Sequence, residues 1–133
     1  MKTLIILAHP RTNSFNHVLS QKAVETLHSE NIVIYFHDLY KENFNPVLSN
    51  EEFMRKACFD NSITAFIDEI TESEVIIFIH PDWWGQLPAI LKGWIDRVFQ
   101  PGIAYEYRGA EFEKKTHFGL FGDKKILVLC TSN

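Results

Sequence analysis

Three polar stretches follow apolar runs and carry the residues whose types could do chemistry. The first is His9-Pro10-Arg11-Thr12-Asn13-Ser14-Phe15-Asn16, which opens a helix. The first N–H groups of a helix lack partners within it, and with the helix dipole they attract anions. Thr12, Ser14 and Asn16 add polar side chains, and His9 and Arg11 can add positive charge. The stretch contains no glycine, so neither the dinucleotide fingerprint nor the P-loop applies. An ordinary capped strand-to-helix loop fits it equally well. The second stretch, Pro81-Asp82-Trp83-Trp84-Gly85-Gln86, offers flat apolar surface beside exposed N–H groups. A heteroaromatic ring needs both; the competing reading is two core tryptophans. The third, Thr131-Ser132-Asn133, sets three small polar groups at a strand end or simply frays.

The elements that must position these stretches are readable from periodicity. Residues 3–8, 32–36, 75–79 and 126–130 are apolar runs, the pattern of strands buried on both faces. Helical spacing marks a segment from Ser14 to about Glu30, with Phe15, Val18, Leu19, Ala23 and Leu27 on one face. Shorter helices are expected at 51–57 and 63–70. Pro88 opens a strongly amphipathic helix over 88–100, with Ile90, Leu91, Trp94, Ile95, Val98 and Phe99 on one face and Lys92, Asp96, Arg97 and Gln100 on the other. Gly93 in mid-helix implies a close backbone approach. Residues 101–118 read as a loop carrying Tyr105 and Tyr107. Alternating strands and helices predict an α/β fold, an open parallel sheet with helices on both faces. Ligands in such sheets bind beyond the carboxyl ends of the strands, where the strand order reverses. In the flavodoxin-like order 2-1-3-4-5 that point lies between the first and third strands. The three stretches converge there and offer a phosphate site, a ring platform and polar edge contacts. That combination suits a flavin mononucleotide moiety.

The 133 residues are one domain's worth, 46% are hydrophobic, and the net charge is −4. Mild acidity with scattered Lys and Arg argues against nucleic acid. No apolar run is long enough to span a membrane, and the N-terminus is too short and polar-flanked for a signal peptide. Cys58 and Cys130 match no metal or redox spacing, so reduced thiols in a cytoplasmic protein are expected. His80 can approach His9, but a metal site lacks a third ligand. His17, His28, His37 and His117 read as surface or structural residues.

The segments AHPRTNSFN, HDLY, FNPVLS, PDWWGQLPAILKGWIDRVF, PGIAYEY and KKILVLCTSN span essentially the whole chain. In this order they resemble the flavodoxin-fold NAD(P)H:quinone oxidoreductases, including the modulator-type and potassium-efflux ancillary flavoproteins. The resemblance implies a bound flavin, FMN or FAD, with NAD(P)H as electron donor and a quinone or similar aromatic acceptor. It implies that His9, Thr12, Ser14, Phe15 and Asn16 hold the flavin phosphate. Pro81, Asp82, Trp83 and Trp84 would line the isoalloxazine, and Thr131, Ser132 and Asn133 would contact its pyrimidine side. Tyr105 and Tyr107 would close over the substrate from the partner subunit of a homodimer. The rival readings are a regulatory flavoprotein subunit without quinone turnover and a one-electron carrier.

Family members continue past this position with another strand and helix, which carry the Tyr and His that stabilise the reduced flavin. The chain is therefore expected to be a single domain, C-terminally incomplete, with its catalytic residues beyond Asn133. A dimer contact is expected through the 88–100 helix, since Trp94 and Phe99 give it more apolar surface than one sheet face needs. The run 126–130 is apolar on both faces and uncharged, so it is expected not to be a free edge.

Overall fold

The apolar runs pair as parallel strands in a computed structural model that describes residues 1–55, 60–109 and 116–132. Strands β1 (Lys2–Leu7), β2 (Val33–Asp38), β3 (Val75–Pro81) and β6 (Lys125–Thr131) form one sheet in the order β2-β1-β3-β6, all neighbours parallel. This is the expected order, with its reversal at β1 and β3. Helix α1 (Phe15–Ser29) joins β1 to β2, α2 (Asn50–Arg55) and α3 (Asn61–Glu72) precede β3, and α4 (Ala89–Val98) follows it.

Alternation along the strands explains why the runs are apolar throughout. Leu4, Ile6, Ile76 and Phe78 face α3 and α4 and pack with Ile63, Phe66, Ile70, Leu91, Trp94 and Val98. Ile5, Leu7, Ile77 and Ile79 face the other way, onto Leu19, Ala23, Val24 and Leu27 of α1. Both faces are covered at the centre of the sheet, so neither set can be polar. Cover thins at the flanks. Ile126, Leu127 and Val128 of β6 stand about half exposed, and β6 has a single strand neighbour among the described residues. Phe15 and Val18, expected on the packed face of α1, are exposed, because that helix lies over β1 and β3 from Leu19 onward.

Helix α4 departs from expectation in three ways. Trp94 is completely buried, edge-on to Phe66, Phe78 and Phe99, so its apolar area is consumed within the chain and gives no dimer surface. Gly93 does mark a close approach, but to Pro46 of the same chain: an added Cβ would lie 2.2 Å from the Pro46 carbonyl oxygen. Arg97, read as part of the polar face, is 5% exposed. Its guanidinium donates to Glu52 Oε1, the Asn45 carbonyl and Asp60 Oδ2 at 2.8–3.1 Å. The segment before α2 folds back over α4 and buries the arginine, which the local period cannot reveal.

Residues 101–118 are not simply a loop. Strands β4 (Tyr105–Arg108) and β5 (Thr116–Gly119) pair antiparallel, Tyr107 opposite His117. The alternation Tyr-Glu-Tyr-Arg was the available signal. The expected helix at 51–57 is α2, and its last two expected residues fall outside the described ones.

His37 clamps the end of β2. Its Nδ1 lies 3.1 Å from the Glu42 carboxylate and its Nε2 2.6 Å from Glu69 Oε2, with Phe66 against the ring. Burial alone would lower its pKa, but the hydrogen bonds to Glu42 and Glu69 outweigh that and hold it above the ordinary 6.5. With the folded value raised, its stabilisation is complete below the unfolded pKa and is lost as pH rises through the folded one. The urea midpoint is expected to fall from about pH 6.5 upward, and His37→Gln to lack that part of the fall.

Candidate functional site

The three polar stretches meet where the sheet order reverses. Ser14 caps α1: its side chain accepts from the His17 N–H, and its carbonyl accepts from the N–H groups of His17 and Val18. Asn16, 2% exposed, reaches across the sheet end and donates from Nδ2 to Thr131 Oγ1 at 2.9 Å. The Asp82 N–H donates to the Thr131 carbonyl at 2.7 Å. The first and second stretches are thus tied to the third through one residue, Thr131.

A cleft of about 180 Å³ opens between them, lined by His9, Arg11, Ser14, Phe15, Asn16, Pro81, Asp82, Trp83, Thr131 and Ser132. Of the expected residues, Thr12 is exposed and does not line it, Trp84 projects fully into solvent, and Asn133 lies outside the described residues. Arg11, a supporting charge in the sequence reading, is part of the wall. His9 stands with its ring 6.4 Å from those of both His17 and Trp83. Burial pushes its pKa below the ordinary imidazole value, outweighing a hydrogen bond to the Arg11 carbonyl, and the charges of His17 and Arg11 push the same way. His80 is buried, and its Nδ1–H donates to the Pro81 carbonyl at 2.9 Å. Among the described residues no group of three His, Cys, Asp or Glu is placed to hold a metal ion, and no helix is long and apolar enough to cross a membrane.

The tryptophans sit on a tight turn. Trp83 and Gln86 exchange two backbone hydrogen bonds, each 3.1 Å, and the residues between them, Trp84 and Gly85, have φ of 60° and 72°. Positive φ at both central positions defines a type I′ turn. Glycine suits it, whereas tryptophan at Trp84 is strained there by about 1 kcal/mol. Trp84 makes no packing that offsets this, being fully exposed. Trp84→Gly is therefore expected to hold stability or raise it by up to about 1 kcal/mol in thermal unfolding; a loss would show that the indole packs.

Tyr105 and Tyr107 do not line the cleft. Their rings are 5.7 Å apart and border a separate, larger cavity of about 460 Å³ with Leu48, Phe53, Met54, Arg97 and Phe99. Unlike the cleft, that cavity lies away from the carboxyl ends of the strands, and its polar lining comes from Glu52, Asp96, Arg97, Gln100 and the two tyrosines. Burial, then the neighbouring Tyr107, raises the Tyr105 pKa, keeping the phenol protonated. His17, read as a surface or structural residue, contacts Ser14 behind the cleft wall and Asp38, which is buried at the end of β2.

Residues 1–133 match the protein family described as "Flavodoxin-like fold". The chain belongs to this flavodoxin-like family. It is 36% identical to an uncharacterized NAD(P)H oxidoreductase of Haemophilus influenzae, over 84% of this chain and 56% of that one. It is 32% identical to NAD(P)H dehydrogenase [quinone] 1 of Rattus norvegicus, over 98% of this chain and 53% of that one. Among solved structures, the NAD(P)H:quinone oxidoreductase from Methanothermobacter marburgensis superimposes with a TM-score of 0.84 at 30% identity, covering 99% of this chain and 66% of that one. This flavodoxin-fold chain spans about half the length of the curated relatives it matches.

Proposed function

We propose that the cleft holds a flavin, and that the protein passes two electrons from NAD(P)H to a quinone or similar aromatic acceptor. One observation carries the reading: Asn16 Oδ1 is buried at the cleft with no hydrogen-bond partner. An orphaned buried polar atom is destabilising by about 1–3 kcal/mol unless something fills the vacancy. A ribityl hydroxyl beside a phosphate at the α1 N-terminus supplies that partner. The residues present therefore fit the group, and the relatives named as quinone reductases support the reaction class.

The chain's own contributions follow from the geometry. The free N–H groups at the start of α1 and the Ser14 hydroxyl hold a phosphate dianion, with Arg11 adding charge at the rim. Trp83 gives an aromatic face for a flat ring, and Thr131 and Ser132 offer polar groups to its edge. The Asn16–Thr131 and Asp82–Thr131 bonds fix these walls relative to each other, so binding requires little ordering. A bound flavin supplies hydride transfer, and the protein supplies placement and electrostatics.

Tyr105 and Tyr107 reach a cleft only if it belongs to another molecule, so the reading includes a homodimer in which each hairpin serves the partner's site. A second copy would also cover Phe53, Met54 and Tyr107, left exposed beside the larger cavity. The separation of the tyrosines from their own cleft also favours a second reading, a regulatory or electron-transfer flavoprotein without quinone turnover. Steady-state NADPH consumption with a quinone, alongside sedimentation, separates the two. Turnover by a dimer is expected; a flavin-loaded monomer without turnover would replace the first reading with the second.

A further inference from the structure

Behind the cleft wall lies a chain of three polar side chains. Ser14 Oγ is 2.9 Å from His17 Nδ1, and His17 Nε2 is 3.1 Å from Asp38 Oδ2. Ser14 is 2% exposed and Asp38 7%, and the His17 side chain is 14% exposed. The other oxygen of Asp38 accepts the N–H groups of Tyr40 and Lys41 at 3.2 and 3.1 Å, which fixes the carboxylate from the end of β2. Asp38 faces the ring at Nε2, and His9 stands edge-on to it at 6.4 Å.

The arrangement couples the Ser14 hydroxyl to the proton count on His17. A carboxylate only accepts, so Nε2 carries a proton directed at Asp38. In a neutral ring Nδ1 is then an acceptor, and it takes the Ser14 O–H, which points away from the cleft. A second proton, on Nδ1, reverses that bond: Nδ1–H donates to Ser14 Oγ, and the hydroxyl hydrogen turns outward to any acceptor in the cleft.

We infer that His17, held by Asp38, is a positioning residue for phosphate: with a hydrogen on Nδ1 it turns the Ser14 hydroxyl onto a phosphate monoester in the cleft. This rests on the flavin reading above and extends it. It separates FMN from riboflavin, which has the same ring and ribityl chain but no phosphate. Asparagine at position 17 sets an amide N–H near where Nδ1–H lies, so it can orient Ser14 without a titrating ring.

The experiment is titration of the protein with FMN and with riboflavin, for wild type, His17→Ala, His17→Asn, Ser14→Ala and the Ser14→Ala/His17→Ala double variant. His17→Ala is expected to weaken FMN about tenfold or more, as for loss of a hydrogen bond to a charged group, and riboflavin by less than about twofold. His17→Asn should restore most of the FMN affinity. In the Ser14→Ala background His17→Ala should have no further effect, since it acts through that hydroxyl. Equal losses for both flavins, or an undiminished His17 effect without Ser14, would overturn the inference while leaving the flavin site standing. A wild-type protein that binds neither flavin would overturn the flavin reading, and this inference with it.

Discussion

Replacing Gly93 with alanine is expected to destabilise the protein by about 3 kcal/mol, although alanine is the better helix former by about 1 kcal/mol. The two effects have opposite signs, so the outcome decides between them. The added methyl would lie 2.2 Å from the Pro46 carbonyl oxygen and 2.6 Å from Pro46 Cα. These are backbone atoms, which no rotamer change can move aside. The segment around Pro46 must lift from α4, and with it goes Asn45, whose carbonyl accepts from Arg97. Urea unfolding measures this. A midpoint equal to or above that of wild type would show that the segment yields freely and that the close approach fixes nothing.

Arg97→Ala is expected to be destabilising by about 3 kcal/mol, at the lower end for a broken buried ion pair. Removing the cation takes the guanidinium away from Glu52, whose side chain is 11% exposed; Asp60, at 43%, is partly rehydrated and adds less. Hydrogen bonding from Ser62, together with Arg97, holds the Asp60 pKa below the usual carboxylate value, so the Asp60 share of this stabilisation is lost as pH falls through that lowered value. Arg97→Lys should recover only part, because one ammonium cannot reach all three acceptors in the geometry of the guanidinium fork. Combined with Gly93→Ala the effects should fall short of additive, since both release the 45–46 segment from α4. Full additivity would mean that the two residues hold different things.

How much of this was legible in sequence depended on the range of the interaction. The strand positions follow from local patterns, unbroken apolar runs, caps and breaks; the sheet order, and with it the convergence of the three polar stretches, came from the flavodoxin-like order those patterns suggested. Gly93 announced a close approach, but only tertiary structure identifies Pro46 as the neighbour. Arg97 was misplaced because helical period assigns faces relative to one core and cannot see a segment that returns over the polar side. His17 read as surface or structural because its two partners, Ser14 and Asp38, lie on different elements. Spacing of three residues from Ser14 gave half of that signal; Asp38 is supplied by the next strand. Trp83 and Trp84 looked equivalent, and the turn separates them, placing one at the cleft and the other in solvent.

The most direct test of the central claim is titration of flavin with the protein, followed by the flavin's own fluorescence. A ring stacked on Trp83 is quenched, so emission should fall to a plateau at a single FMN per chain. Trp83→Ala should weaken FMN and riboflavin alike, and Ser14→Ala should weaken FMN alone. Emission that stays unquenched and does not saturate, or affinities that neither substitution changes, would contradict a flavin site at this cleft.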